Sequence, residues 1–425
     1  MSVFEVSAIL IVITALLSFI NARFIRLPTM IGVMFLSLAA SLVLDLIGGA
    51  DGVLKHHAAT LLAHVNFNEA LLHGMLAFLL FAGALHLNLN DLAREWGAIT
   101  VLALVGTALS TFAIGGGLWF VLKWAGVPIP MIHCMLFGAL ISPTDPVAVL
   151  AILKSAGAPR SVDTLMAGES LFNDGVGVVI FFVVLGIASG GTTPTMFAVG
   201  RLLVWEAGGG VALGLVTGYL TYRLLRLVDN YQVEVLLTLA LAMGGYALGD
   251  AIGVSAPIAI VVAGLLVGNR GRKFGMSDVT RHHLDTFWEL MDEILNAVLF
   301  MLLGLQVLVM PFRAMYILAG VAAIVLSLGV RFASVAGLIR LMALRRTFSP
   351  GTVSVLTWGG LRGGLSVAMA LSLPADYHRN LILAVTYCVV VFSILIQGLT
   401  TAGVTRRVCR VHGSKPLGTA SAVST

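Results

Sequence analysis

Charge is scarce in this 425-residue chain: Asp, Glu, Lys and Arg make up 11% of it, against about 25% in soluble domains. That shortage excludes a soluble globular protein. Three cysteines, Cys134, Cys388 and Cys409, are too few and too scattered for a disulfide framework. The net charge of +5 and pI near 9.3 come without a basic stripe interleaved with aromatics, so they call for no nucleic-acid partner. No Walker A, HExxH or GxGxxG sits in a supporting context, and no cofactor is expected. The N-terminus has neither the positive region nor the small-residue cleavage site of a signal peptide, and it reads as a first helix. What the chain has in abundance is apolar surface: 59% of residues are hydrophobic and the mean hydropathy is +1.02.

That surplus is arranged in runs of bilayer-spanning length, and the pattern predicts an all-α polytopic membrane protein of about thirteen transmembrane helices. The fifth run is Met131 to Leu153, the sixth Leu165 to Ile187, the tenth Ile294 to Met310, the eleventh Met315 to Leu338 and the twelfth Val353 to Leu373. The ninth, Ala256 to Val267, is the shortest. Eighteen Lys and Arg fall in loops after odd-numbered helices and in the tail, among them Arg94, Arg270, Arg345 and Arg407, against five in loops after even-numbered ones. By the positive-inside rule the N-terminus is outside and the C-terminus cytoplasmic. The expected organisation is one transmembrane domain over residues 1–410 and a short cytoplasmic tail over 411–425.

Against that background the segment Gly168 to Phe181, GESLFNDGVGVVIF, stands out. Ionisable groups at bilayer depth cost about 2.5–3.5 kcal/mol each on insertion scales and usually mark an ion or proton path. Ser170 and Asp174 are four residues apart on one helix face, with Glu169 and Asn173 on the adjoining one. Oxygen-bearing side chains in such a cluster suit a hard monovalent cation. The alternative is that such groups bind helix to helix.

In the fifth run, ISPTDPVAVL, prolines at 143 and 146 cannot donate backbone hydrogen bonds and push Ser142 and Asp145 out of helical geometry. Carbonyls are thereby freed beside Thr144 and Asp145, and unwound backbone survives at membrane depth only where it lines a cavity or site. In the twelfth run, WGGLRGGLSVAM, four glycines around Arg362 mark a second broken helix. It lies seven helices after the first, an odd offset that inserts the two breaks in opposite directions, as an inverted repeat requires.

Arg331 and Arg362 are the two basic residues inside predicted spans, facing Glu169, Asp174 and Asp145. Three acids against two arginines leave one negative charge for a cation or a proton to cancel. We assign Glu169 to Arg331 as the permanent pair, with Arg362 as the other structural cation. The acids Asp285, Glu289, Asp292 and Glu293 precede the tenth run, where they read as capping a helix N-terminus, with a cation-attracting funnel as the alternative. His56, His57, His64, His73, His86, His282 and His283 lie mainly in or near loops and make no ligand set, although His282 and His283 suit pH sensing.

Four segments, TDP at Thr144 to Pro146, GESLFND at Gly168 to Asp174, FWELMDEILNAVLFMLLGL at Phe287 to Leu305 and GLRGGL at Gly360 to Leu365, resemble, in order, motifs of the cation:proton antiporter-1 family, especially its prokaryotic NhaP type. The resemblance covers nearly the whole chain. It implies a homodimer, a core with two crossed broken helices, and movement of that core against a dimerisation domain. It further implies that Asp174 exchanges cation for proton, that Asn173 stabilises the crossing, that Thr144, Asp145 and Ser170 join Asp174 in holding sodium, that Glu169 pairs with an arginine, and that Arg362 steadies the unwound twelfth helix. An Asn-Asp pair at 173–174 implies electroneutral exchange, and the short tail a prokaryotic cell membrane.

The expected function is therefore monovalent cation/proton antiport by alternating access, with sodium as the leading ion and lithium and potassium as candidates. An intramembrane aspartyl hydrolase using Asp145 and Asp174 as a dyad would need a GxGD-like context that is absent around Asp174. A passive cation channel is the third option, and it would dissipate gradients only.

Overall fold

The computed structural model describes residues 3–48, 74–145, 147–190, 196–272, 276–310 and 314–411. Helices dominate them: α1 Val3–Ile20, α2 Thr29–Gly48, α3 Leu76–Leu85, α4 Leu89–Thr100 and α5 Thr107–Trp124. Then come α6 Met131–Ile141, α7 Val147–Ala156, α8 Arg160–Ala188, α9 Met196–Leu225, α10 Tyr231–Ile252 and α11 Ala256–Leu266. The last are α12 Asp278–Leu305, α13 Ala314–Met342, α14 Thr352–Trp358, α15 Gly364–Leu371, α16 Arg379–Phe392 and α17 Gly398–Val411. Among the described residues eight helical stretches are long and apolar enough to cross a membrane. The protein is a multi-pass membrane protein.

Local chemistry sets the helix starts. Asn88, Asn230, Ser255 and Ser277 each accept a backbone N–H of the first turn that has no partner within its own helix. Large apolar side chains remain exposed along α1 (Phe4, Ile11, Phe19) and α9 (Val204, Trp205, Val216), as a lipid-facing surface requires.

Two helices are interrupted. Between α6 and α7 the chain unwinds at residues 142–145, and between α14 and α15 at residues 359–363. The α16–α17 helix, which packs beside the second break, contains a π-helical turn, Ser393–Gln397.

Three sequence expectations need adjusting. The tenth helix begins at Asp278, capped by Ser277, and not near Ile294. Glu289, Asp292 and Glu293 therefore lie more than two turns inside it, too far to serve the N-terminal dipole. Asp285 pairs instead with Arg272. The ninth helix is extended by a π-helical turn to Gly271. His56, His57, His64, His73, Pro146 and residues 412–425 lie outside the described residues.

Candidate functional site

The two breaks meet at one point. The Asp145 amide donates to the Leu361 carbonyl at 2.8 Å, an antiparallel bridge between otherwise helical segments. Each interrupted helix leaves last-turn carbonyls unpaired, and a buried arginine answers each set. Arg362, in the second break, donates from Nη1 to the carbonyls of Ser142 and of Pro143 (2.7 Å) at the end of α6. Proline at 146 cannot bond the Ser142 carbonyl, so the guanidinium takes the place of the missing amide. Arg331, on α13, donates from Nη2 (3.1 Å) and Nε (3.3 Å) to the Leu356 carbonyl at the end of α14. Both cations thus lie at the negative ends of half-helices.

Arg331 also grips Glu169 with two nitrogens, Nη1 to Oε1 and Nη2 to Oε2 at 2.8 Å, where Glu169 is fully buried and Arg331 6% exposed. This fork-to-fork contact is the strong form of carboxylate pairing. Arg362 lies within electrostatic reach of Glu169 and Asp174, but its own hydrogen bonds go to carbonyls and not to a carboxylate.

The glycines of the second break make these approaches possible. A Cβ on Gly360 would come within 2.8 Å of Arg331 Nε, and one on Gly363 would run into the Asp145 side chain. Two further backbone groups at the break go to the π-helical turn: Ser393 Oγ accepts from the Arg362 amide at 2.9 Å, and Gln397 Nε2 donates to the Trp358 carbonyl at 3.2 Å.

The sequence-predicted ligands divide into two groups. Thr144, Ser170 and Asn173 form a closed network: Thr144 Oγ1 lies 2.9 Å from Ser170 Oγ, Asn173 Nδ2 donates to Thr144 Oγ1 at 2.9 Å, and the Thr144 amide donates to Asn173 Oδ1 at 3.2 Å. Asp145 and Asp174 instead line a cavity of about 80 Å³ walled by α3, α8, α12 and α15, which Thr144 and Ser170 do not reach. Ser170 is therefore grouped with Asn173, three residues on, and not with Asp174, because Thr144 inserts between those two side chains. Among the described residues none hydrogen-bonds the Asp174 carboxylate, which faces Asp145 with Arg362 nearby.

Comparison with known proteins agrees with this architecture. The model of the transmembrane sodium/hydrogen exchanger family matches residues 9–407. This chain belongs to the sodium/hydrogen exchanger family. The Na(+)/H(+) antiporter NhaP of Pseudomonas aeruginosa is 48% identical over 418 residues, covering 97% of this chain and 98% of its own. The Na(+)/H(+) antiporter NhaH of Halobacillus dabanensis is 35% identical over 348 residues, covering 79% and 82%. Among solved structures, the sodium proton antiporter MjNhaP1 from Methanocaldococcus jannaschii shares the fold at a TM-score of 0.76, with 19% identity, over 96% of this chain and 99% of that one. Membership of a transporter family sets aside the aspartyl hydrolase reading.

At the two breaks and the cavity, four further polar residues were not signalled by the sequence pattern. Ser393 and Gln397 satisfy the second break, and only a serine and glutamine in an otherwise apolar run could have signalled them. Asn296 and Ser366 line the cavity beside the two aspartates. Asn296 lay in a family-like motif where its neighbours' charges drew the attention. Asp292 accepts from Asn296 Nδ2 at 3.1 Å and interacts electrostatically with Asp145, and Glu289 approaches His86 at 3.8 Å.

Proposed function

We propose that the protein is a secondary antiporter exchanging one sodium ion for one proton across the cell membrane, with Asp174 carrying either ion in turn. The observation behind this reading is the cavity itself: two carboxylates from different elements share it, and Asp174 has no hydrogen bond from a described residue to hold it in one state. Asp145 sits with it, and Thr144 and Ser170 place further oxygens directly behind. An oxygen-only set suits a hard cation, and a proton on the same carboxylate cancels the same charge.

Moving an empty, charged carboxylate through the low-dielectric barrier is costly, so the core crosses only when a cation or proton neutralises it. Alternating access then couples the two fluxes without ATP. Asn173 braces the crossing, Glu169 with Arg331 and Arg362 keep the broken helices rigid, and residues 1–410 act as one transmembrane domain with thirteen crossings. The charge asymmetry of the loops supports an outside N-terminus and cytoplasmic C-terminus, and resemblance to the family supports a homodimer.

Purified protein in proteoliposomes tests this reading. An imposed sodium gradient should drive protons uphill, with lithium and potassium compared in turn. Flux that only dissipates gradients would establish a channel instead.

A further inference from the structure

Four side-chain oxygen centres from four different elements surround the cavity: Asp145 from the first break, Asp174 from α8, Asn296 from α12 and Ser366 from α15. Asn296 is 1% exposed and Ser366 2%. Asn296 Nδ2 donates both to the Asp292 carbonyl at 2.9 Å and to Asp292 Oδ1 at 3.1 Å. Turning the amide over would set its oxygen against two acceptors, so the orientation is fixed by the network. With the nitrogen committed to Asp292, the carboxamide oxygen is the atom left for the cavity. Among the described residues neither Asn296 Oδ1 nor Ser366 Oγ has a hydrogen-bond partner. Both residues line the cavity, where a bound cation would be the partner these oxygens lack.

We propose that Asn296 and Ser366 are two further cation ligands, neutral oxygens that complete the coordination begun by Asp145 and Asp174 and that set which alkali cation fits. Asp292 is a positioning residue that acts through Asn296. This inference rests on the cation/proton exchange proposed above. It adds side chains on α12 and α15 to the oxygens that Thr144 and Ser170 place beside the two aspartates. Neutral oxygens add field strength without altering the charge count, so they tune affinity and ion order and leave stoichiometry alone.

The test compares wild type with Asn296→Ala and Ser366→Ala in proteoliposomes, and measures sodium-dependent thermal stabilisation of each in detergent. Each variant should raise the half-saturating sodium concentration by about tenfold, the equivalent of one lost ligand interaction. The maximal rate should change less, and the order of lithium, sodium and potassium should shift. The acidic limb of the pH profile should move to higher pH, because a weaker cation yields Asp174 to protons sooner. Asp292→Ala should reproduce part of the Asn296 effect and add nothing in the Asn296→Ala background. Half-saturation for all three ions within twofold of wild type in both alanine variants would overturn the proposal. If wild type itself shows no coupled exchange, the functional reading falls separately. Equal sodium-dependent stabilisation of wild type and both variants would then still count against these ligands, and its loss in the variants would still support them. Should Asn296→Ala fail to accumulate, the smaller change Ser366→Ala decides.

Discussion

The Asp145 amide and the Leu361 carbonyl, 2.8 Å apart, tie together two helix breaks separated by more than two hundred residues of chain. Beside that bond, Gly363 leaves the space that the Asp145 side chain fills. Gly363→Ala should therefore displace the Asp145 carboxylate while leaving α14 and α15 helical. The expected outcome is membrane-inserted protein whose apparent sodium affinity falls about tenfold or more. Unchanged transport kinetics in that variant would show that the position of Asp145 is immaterial.

Glu169→Gln or Arg331→Gln alone leaves a buried charge without its partner and should cost about 3–5 kcal/mol. Melting in detergent should register each single change strongly, and the double change should recover part of the loss. Additive effects would mean that the fork between Arg331 and Glu169 contributes nothing as a pair. Arg331 also serves the Leu356 carbonyl, so recovery in the double variant should be incomplete.

Exchange should follow a bell-shaped pH profile. At low pH protons outcompete the cation on Asp174, and at high pH the co-substrate proton becomes scarce. More sodium should carry the acidic limb to lower pH, since the cation then competes better. A limb that stays fixed over a wide range of sodium would point to a separate sensor, with His282 and His283, on the first turns of α12, the first residues to replace.

The elements of the crossing were legible in the sequence because each carries a residue that makes no sense in an ordinary membrane helix. Prolines at 143 and 146 cannot donate, glycines at 360 and 363 have no side chain to pack, and Arg331, Arg362 and Glu169 are too costly at depth without one another. The all-helical, multi-pass architecture followed from hydropathy alone. What stayed hidden depended on rotation and insertion. Helical spacing put Ser170 on the face of Asp174 and Asn173 on the adjoining one, and only the entry of Thr144 joins Ser170 to Asn173 instead. The true start of α12 was masked by its charged first half, where the stretch from Asp278 reads as a loop until Ser277 is seen capping it. Asn296 and Ser366 offered no signal beyond being polar, since lone residues of these kinds commonly join helix to helix.

Stoichiometry follows from the charges placed at the crossing. With Glu169 held by Arg331, the cavity carries Asp145 and Asp174 against the nearby Arg362, which leaves one negative charge for one ion to cancel as long as the neighbouring Asp292 keeps its proton. Moving a charge against the membrane potential takes about 2.3 kcal/mol per 100 mV. Sodium-driven proton flux should therefore be the same with and without a potassium/valinomycin clamp. Flux that quickens when the clamp removes an opposing potential would mean that Asp145 or Asp292 also exchanges a proton in each cycle.

The central claim is that one carboxylate, Asp174, holds cation and proton in turn, and binding alone can test it. Sodium added to the purified protein in weakly buffered detergent, at a pH where the site is protonated, should release about one proton per chain, because a carboxylate must give up its proton to take a cation. Asp174→Asn, equal in shape and without a titrating group, should fold, insert and release none. Undiminished sodium-induced proton release from Asp174→Asn would contradict the account.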